Sequence, residues 1–430
     1  MLQNILNLSL DLKYYTLYSV LNFMIKVLKK IFVITWRILL YFLIIFFSVI
    51  LIQYLTTPVY KFPEIKIFSG SKIYNPYQDI DSNMWRKGNF QIQSYAWMGL
   101  TNGWKNSNKK IDSIYKYLGY DIIVTSDYMK INKHGIENES YIPVYEHGYS
   151  IFKHHQVCIG SETVNWKDYP FFQNIHHKQH ILNSLREKNE LVFIAHPKLR
   201  GAYSPEDFKF LTNYDGIEVL NNFRISIEHW DSALSTGHFV TILSDDDAHD
   251  ISNPDEIGHR CTFINTGSLA ADSVIKALKQ GKAFGADIYR PLGENFEVKK
   301  QKIDEIATLK KVKVSGDTLI VEVSNKAKEF RFIGQNGEIK KTVADTKGAK
   351  YKIKPEDTYI RTEIIFPNRN AFYLNPIFRY KGDKPENPRL AEIDLYKTWL
   401  LRIIGFATII FGIINIVYFR RRKKIGKQRK

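Results

Sequence analysis

Histidine is missing from most of this chain, charge is missing from two long stretches, and cysteine is nearly missing altogether. All twelve histidines lie between His134 and His259, so a histidine-ligated metal site can be sought only in that part of the sequence. No charged residue falls between Ile38 and Leu55, or between Ile403 and Phe419. The two cysteines, Cys158 and Cys261, permit one disulfide at most. Each sits in a strand-like run, so they are either bridged in an oxidising compartment or simply buried apolar residues. No small-x-small sequence follows the first apolar run, which passes directly into Thr56-Thr57-Pro58. That argues against a cleaved signal peptide and for an uncleaved anchor. There is no internal repeat, and the aromatic content of 14% gives no support to disorder.

The net charge of +17 suggests a nucleic-acid binder until its distribution is examined. Residues 1–37 carry +4 and the tail after Phe419 carries +8, which leaves +5 for everything between. The excess therefore flanks the two apolar runs, where it orients a membrane protein. Ile38 to Leu55 and Ile403 to Phe419 are close to the ~20 residues that cross a ~30 Å hydrocarbon layer. Arg402 sits where its long side chain can snorkel. Tyr54, Tyr396, Trp399 and Tyr418 suit aromatic belts. The expected layout is a cytoplasmic basic N-terminus (1–30), a transmembrane helix (31–56), a linker (57–87), an α/β domain (88–288), a small all-β domain (289–382), a linker (383–397), a second transmembrane helix (398–419) and a basic cytoplasmic tail (420–430). This places a two-pass protein in the cell (inner) membrane, both termini cytoplasmic and the main domains periplasmic. Residues 1–23 form an interfacial amphipathic helix, or else translation starts at Met24.

Between Phe90 and Phe284, short apolar runs alternate with amphipathic ones. Strands are expected over Phe90–Gln93, Asp121–Thr125, Tyr141–Tyr145, Gln156–Gly160, Leu191–Ala195, Gly216–Leu220, Phe239–Leu243 and Thr262–Asn265. Ile111-Ile114-Tyr115-Leu118 and Val274-Ile275-Leu278 have the spacing of a buried helix face. Such alternation predicts a parallel α/β sheet, open or closed into a barrel. After Phe284 the period becomes two, as in Leu319-x-Val321-x-Val323, and Asn336-Gly337 signals a hairpin. That pattern predicts a β-sandwich.

Candidate ligands cluster at strand ends. Glu146 closes one strand and His155 opens the next; His196 follows Leu191–Ala195; Asp247 and His249 follow Phe239–Leu243. Strand C-termini in an α/β barrel converge on one face. Two histidines and a carboxylate are a catalytic zinc arrangement that keeps a position for water, and such an ion polarises a phosphoryl oxygen.

Ile194-Ala195-His196-Pro197, Asp247-Ala248-His249, Tyr141-Ile142-Pro143-Val144-Tyr145-Glu146, His155-Gln156-Val157-Cys158-Ile159-Gly160, Asp215-Gly216-Ile217-Glu218-Val219 and Trp230-Asp231 together resemble the motifs of the PHP (polymerase and histidinol phosphatase) family. Tyr359-Ile360-Arg361-Thr362-Glu363 and Asn375-Pro376-Ile377 resemble a sandwich appended to some members. The resemblance spans about Gly88 to Tyr380. It implies a distorted (β/α) barrel followed by a small sandwich, binding up to three metal ions and often hydrolysing phosphoesters. Where members open with His-x-His, this chain has Gln91-Ile92-Gln93; Ser-Asp-Gly becomes Thr101-Asn102-Gly103, and Asp-His becomes Asp127-Tyr128. The first implied metal set is Gln91, Gln93, Glu146 and Asp247, the third is Asn102, Tyr128 and His249, and the middle set, Glu146, His155 and His196, is intact. Amides are weak ligands for zinc or manganese.

The expectation is one divalent ion, zinc or manganese, or none. Glu146, His155, His196 and Asp247 are its ligands. Asp247 and His249 serve as catalytic groups. Gln91, Gln93 and Tyr128 contact substrate or water. The substrate expected from a membrane location is a phosphorylated lipid, glycan or polymer. The alternative is a catalytically degenerate PHP-fold scaffold of the cell envelope. The low net charge of the middle segment argues against nucleic acid. His147 and His154 are expected at the surface or behind the ligands, and His176, His177 and His180 on a solvated helix face. His134, His229, His238 and His259 are expected to have surface or packing roles. Asp245 and Asp246 are read as turn residues, with orientation of a histidine as a further role for Asp246. Tyr95, Trp97 and Trp104 either line a cleft or pack in the core.

Overall fold

Proline-free apolar sequence carries one helix, α1 (Leu2–Thr56), up to the point where Pro58 disfavours further helix. A second, α7 (Leu395–Gln428), closes the chain. The computed structural model describes residues 2–101, 103, 105–385 and 390–428, with the side chains of 2–16 and 423–428 excepted. The chain divides into two compact units, Met1–Thr57 with Tyr396–Lys430, and Pro58–Leu395. In the first, Leu17–Thr56 and Leu395–Arg422 are long and apolar enough to cross a membrane, and their apolar side chains face outward. Residues 2–23, for which two readings were open, continue α1 as helix. At ~1.5 Å per residue α1 far exceeds the bilayer core. Arg402, expected to snorkel, instead donates to the Thr56 carbonyl at 2.5 Å, satisfying an orphan acceptor at the end of α1. The described part of the basic tail reaches Arg422; Lys423 and the charges beyond it lie outside the described side chains.

The second unit begins with β1 (Tyr60–Lys61), β2 (Lys72–Tyr74), β3 (Trp85–Asn89), α2 (Asn108–Tyr117) and β4 (Ile122–Ile123). Then come β5 (Val144–His147), β6 (Gln156–Ser161), α3 (Ile175–Arg186), β7 (Asn189–Ile194), β8 (Gly216–Asn221), α4 (Ile227–Ser235), β9 (Thr241–Asp245), β10 (Arg260–Asn265), α5 (Ala271–Lys279) and β11 (Ala283–Asp287). After α6 (Phe296–Gln301) the chain is β: β12 (Leu309–Ser315), β13 (Thr318–Ile333), β14 (Ile339–Lys352), β15 (Tyr359–Ile365), β16 (Ala371–Tyr380) and β17 (Glu392–Ile393). The two helices read from periodicity bury the residues that spacing selects, Ile111 and Tyr115 in α2, Val274, Ile275 and Leu278 in α5. The Ser107 hydroxyl caps α2 by accepting from Lys110 N.

The architecture is mixed α/β, but its strands do not make one closed, all-parallel barrel. They form a five-stranded sheet, β5-β6-β7-β8-β9, and a ten-stranded sheet along β12-β13-β15-β16-β11-β10-β3-β4, with β14 on β13 and β2 on β16. Parallel pairing is confined to β3/β4, β7/β8 and β8/β9 within the sheets. The sheets meet through two isolated parallel bridges, Ile92 with Ala248 and Tyr128 with Glu146. The expected separate sandwich is likewise replaced: β15 pairs with β16, and β16 with β11, so the C-terminal strands extend the sheet of the α/β part. One apolar cluster contains Ile92, Tyr115 and Phe284 together with Leu319, Phe330 and Ile364. Period-two alternation identifies a strand but not its neighbour.

An ion pair also crosses this junction. Arg361 on β15, only 2% exposed, donates from Nε and Nη2 to the two carboxylate oxygens of Asp231 on α4 at 2.6 and 2.8 Å. Its Nη1 donates to Glu363 at 2.6 Å, and its guanidinium lies 5.3 Å from the centre of the Trp230 ring. Arg361→Met strands two buried carboxylates, so it should lower the unfolding free energy by about 3–5 kcal/mol. Urea denaturation of the full chain checks this; a loss under about 1 kcal/mol would place the pair among exposed ones.

Candidate functional site

The two bridges that join the sheets fall on the residues singled out from sequence. Ile92 lies between Gln91 and Gln93, Ala248 lies between Asp247 and His249, and Tyr128 faces Glu146. Backbone bonds fix this seam: Gln93 N donates to Ala248 O at 2.9 Å and Met129 N to Glu146 O at 2.8 Å. The Asp127 carboxylate reinforces it by accepting from Ser94 N at 2.7 Å and Ser94 Oγ at 2.8 Å. The expected strand Phe90–Gln93 is thus the extension beyond β3 that reaches the seam.

At the seam, Glu146 is fully buried. Its Oε1 accepts from His155 Nδ1 at 2.5 Å and His196 Nε2 at 3.2 Å, and its Oε2 accepts from Gln93 Nε2 at 2.8 Å. One ligand atom from each of Glu146, His155 and His196 lies within 4.8 Å of the others. Asp247 is not in that cluster. Burial works against the ionised Glu146, yet the two imidazoles outweigh it and hold the carboxyl below its usual range. Burial pushes His155 down to about 4 against the pull of Glu146. For His196 burial is again opposed, here by the Glu146 hydrogen bond and the charge of Asp247, and the net shift is upward.

The donor set, two imidazole nitrogens and a carboxylate oxygen, is one that zinc or manganese accepts. Around it, polar atoms are buried without a partner among the described residues: both amide atoms of Gln91, Gln93 Oε1, His196 Nδ1 and Asp247 Oδ1. Buried polar atoms of this kind are rare unless a ligand or water meets them. A cation held here displaces the protons that face Glu146, so the residues present fit a single divalent ion.

The neighbouring polar side chains are engaged as well. Gln93 gives its amide nitrogen to Glu146 and to Ser126 O at 2.9 Å, so it acts as a donor that orients a ligand. His249 Nδ1 donates to the Asp247 carbonyl at 2.8 Å, leaving Nε2 to accept from Tyr128 OH at 3.3 Å. Asn102 and Trp104 lie outside the described residues. His196 and Asp247 both have positive φ, 28° and 50°, a region that non-glycine residues occupy sparsely.

Sequence reasoning passed over Glu218 and Asn221. Glu218 Oε2 accepts from His196 N at 2.7 Å, and Asn221 Nδ2 bridges Glu218 Oε1 at 2.8 Å and Asp247 Oδ2 at 3.1 Å. This link ties two ligand-bearing loops together; its signal is the Asp215–Val219 motif, which the family resemblance includes without giving Glu218 a role. Lys153 was also missed. It lines, with Trp97, Tyr128, His155 and Trp166, a cavity of about 780 Å³ that reaches the cluster. Trp97 thus borders a cleft, held by its indole N–H on Tyr128 O at 2.7 Å, while Tyr95 is exposed.

Other expectations change. His147 and His154 are buried, bonded to Gln156 Oε1 at 2.6 Å and to Ser150 Oγ at 2.9 Å. His177 is buried rather than solvated and closes the capping box of α3 with Asn174. His176 Nδ1 accepts from Tyr60 N at 3.1 Å, and His180 Nδ1 bonds Tyr60 OH at 2.9 Å. His134 finds a carboxylate, Asp112, at 2.9 Å. Asp245 and Asp246 are buried; Asp246 accepts from the amides of Gly258, His259 and Arg260 and not from an imidazole. Cys158 and Cys261 are free, buried thiols.

No protein-family model matches the chain, and no curated protein matches it. Among solved structures it is similar to a two-domain protein containing a predicted PHP-like metal-dependent phosphoesterase from Bacteroides vulgatus, at 14% identity and a TM-score of 0.37, over 71% of this chain and all of that one.

Burial holds His177, His238 and His259 down to about 4, against about 6.5 in an unfolded chain. Between these values the unfolded chain binds protons that the folded one does not, so stability is fully present above about pH 6.5 and falls toward pH 4. Each such imidazole contributes up to about 1.4 kcal/mol per pH unit. Urea midpoints should therefore drop from pH 7 to pH 5, and less steeply in His238→Gln; equal midpoints would contradict the buried neutral state.

Proposed function

We propose that the chain is a membrane-tethered, metal-dependent hydrolase of phosphoesters with one metal site, formed by Glu146, His155 and His196. The observation that carries this reading is the buried cluster of these three residues at the end of a cavity. The motif resemblance to the PHP family supports the same set. When bound, the ion supplies Lewis-acid charge that acidifies water and polarises a phosphoryl oxygen.

The chain's own residues supply the rest. Gln93 and the His155 ring orient Glu146. Asp247 Oδ1 has no hydrogen-bond partner among the described residues and lies 3.8 Å from His249 Nδ1, and burial pushes its carboxyl above the usual range, which suits a proton acceptor. His249 offers Nε2, shared with Tyr128 OH, as a second proton acceptor. Lys153 brings positive charge to the cavity wall, suited to phosphoryl oxygens.

A second reading has its own observation. The Gln93 amide on Glu146 and the Tyr128 hydroxyl on His249 occupy positions where further ligands would stand, as in a binding or scaffold protein that has lost catalysis.

Metal analysis of the purified full chain should find roughly one divalent ion per chain, lost in Glu146→Ala and in His196→Ala. Turnover of bis(4-nitrophenyl) phosphate or its monoester should vanish with chelator and return with metal. Bound metal without turnover supports the scaffold; no metal in the parent chain sinks both the ion and the hydrolase.

The basic flanks of the two apolar helices support a two-pass topology with both termini cytoplasmic and residues 58–395 outside. Single cysteines placed at Asp383 and at Lys424, in a background lacking Cys158 and Cys261, should separate in whole cells. A membrane-impermeant maleimide should label only the first, and the opposite pattern would invert the topology.

A further inference from the structure

A second cavity, of about 420 Å³, shares no residue with the one that reaches His155. Lys66, Lys209, Lys279, Arg379, Lys381 and Lys384 line it, against the single carboxylate of Glu64. That excess of five charges equals the whole net charge left to the chain once its basic flanks are set aside. Lys209 is paired with Glu206 at 2.6 Å. Arg379 is fixed without being neutralised. Its Nε, Nη1 and Nη2 donate to the carbonyls of Asp357, Gly70 and Lys354 at 2.7, 3.3 and 2.8 Å.

The floor is apolar. Phe68, Tyr74 and Phe239 pack around Phe378 with ring centres 4.5, 5.1 and 4.8 Å away. Ile65, Ile67 and Phe210 line the same cavity and remain exposed. The wall formed by residues 63–70 is pinned at both ends of its turn. A Cβ on Gly237, at φ 81°, would lie 2.0 Å from Lys66 O, and one on Gly70, at φ 136°, would lie 2.0 Å from Tyr380 O.

Cations over an exposed apolar surface match a molecule that is anionic at one end and hydrocarbon at the other. Gln280 is the one amide among the lining residues. The walls also come from sequence that adjoins the apolar helices: residues 63–69 follow α1, and Lys381, Lys384 and Pro385 precede α7. We infer that this cavity binds the phosphate-bearing headgroup of an anionic lipid, with the phosphate at the lysine and arginine rim and the start of the acyl chain on Ile65, Ile67 and Phe210. The site is independent of the metal centre and goes beyond the hydrolytic reading.

The test uses the full chain in a non-ionic detergent, titrated calorimetrically with dihexanoyl phosphatidic acid, dihexanoyl phosphatidylcholine and inorganic phosphate. The acid should bind saturably and at least about ten-fold more tightly than the other two. Lys279→Gln/Lys381→Gln/Lys384→Gln should weaken it by about ten-fold or more, and Ile65→Ser/Ile67→Ser should weaken it too. Arg420→Gln/Arg421→Gln/Arg422→Gln in the tail, and Glu146→Ala at the metal cluster, should leave it unchanged. Thermal unfolding confirms that each variant is folded. Phosphate binding as tightly as the lipid would make the ligand a soluble anion and overturn the proposal. So would equal binding of phosphatidylcholine, loss of binding in the tail variant alone, or no binding at all. The unaltered Glu146→Ala result separates failure here from failure of the hydrolase reading.

Discussion

A carboxylate with no access to water must be compensated by its neighbours or it will not stay ionised. Glu146 is in that position, and three donors from three different stretches of chain meet it: His155 from just before β6, His196 from just past β7, and Gln93 from beyond β3. Removing any of them leaves buried charge exposed to nothing. The arrangement therefore fixes more than a site. Glu146 is also one half of the Tyr128 bridge, so the same residue closes the seam between two sheets that otherwise share no continuous ladder.

Much of this centre could be read from residues alone, because strand ends are easy to find. Leu191–Ala195 is continuous apolar sequence and stops at His196; Tyr141–Tyr145 stops at Glu146. Seven of the eight expected strands overlap an observed one; Phe90–Gln93 instead lies just past β3 and holds only the Ile92 bridge. The seam was not legible, since an isolated bridge at Ile92 leaves no pattern in composition. Nor was the link from Glu218 through Asn221 to Asp247, which depends on which strand lies beside which. His177, His238 and His259 looked solvated or indifferent, yet each is buried. Polar residues on a helix reveal amphipathicity only when the opposite face is open, and α3 buries His177 and Lys178 as well as Ile181 and Leu182. Asn102 lies outside the described residues.

Gln93 and Tyr128 have a shared physical character. Each carries a group that binds a cation weakly but hydrogen-bonds a neighbour, Glu146 or His249. The result is a centre in which Glu146 is fully engaged while Gln91, His196 Nδ1 and Asp247 Oδ1 keep unmet polar atoms. Its strain persists in His196 and Asp247, and strain of that kind is retained only where surrounding structure overdetermines it.

The shared sheet and the Arg361–Asp231 pair have a consequence for how the unit Pro58–Leu395 comes apart. Strands β15 and β16 cannot leave without opening the edge of β11 and uncovering Trp230. The α/β and all-β portions therefore melt as a single cooperative block rather than in sequence. The chain that looks modular on paper, with a helix-and-strand half and a strand-only half, shares one sheet and one apolar core across the join.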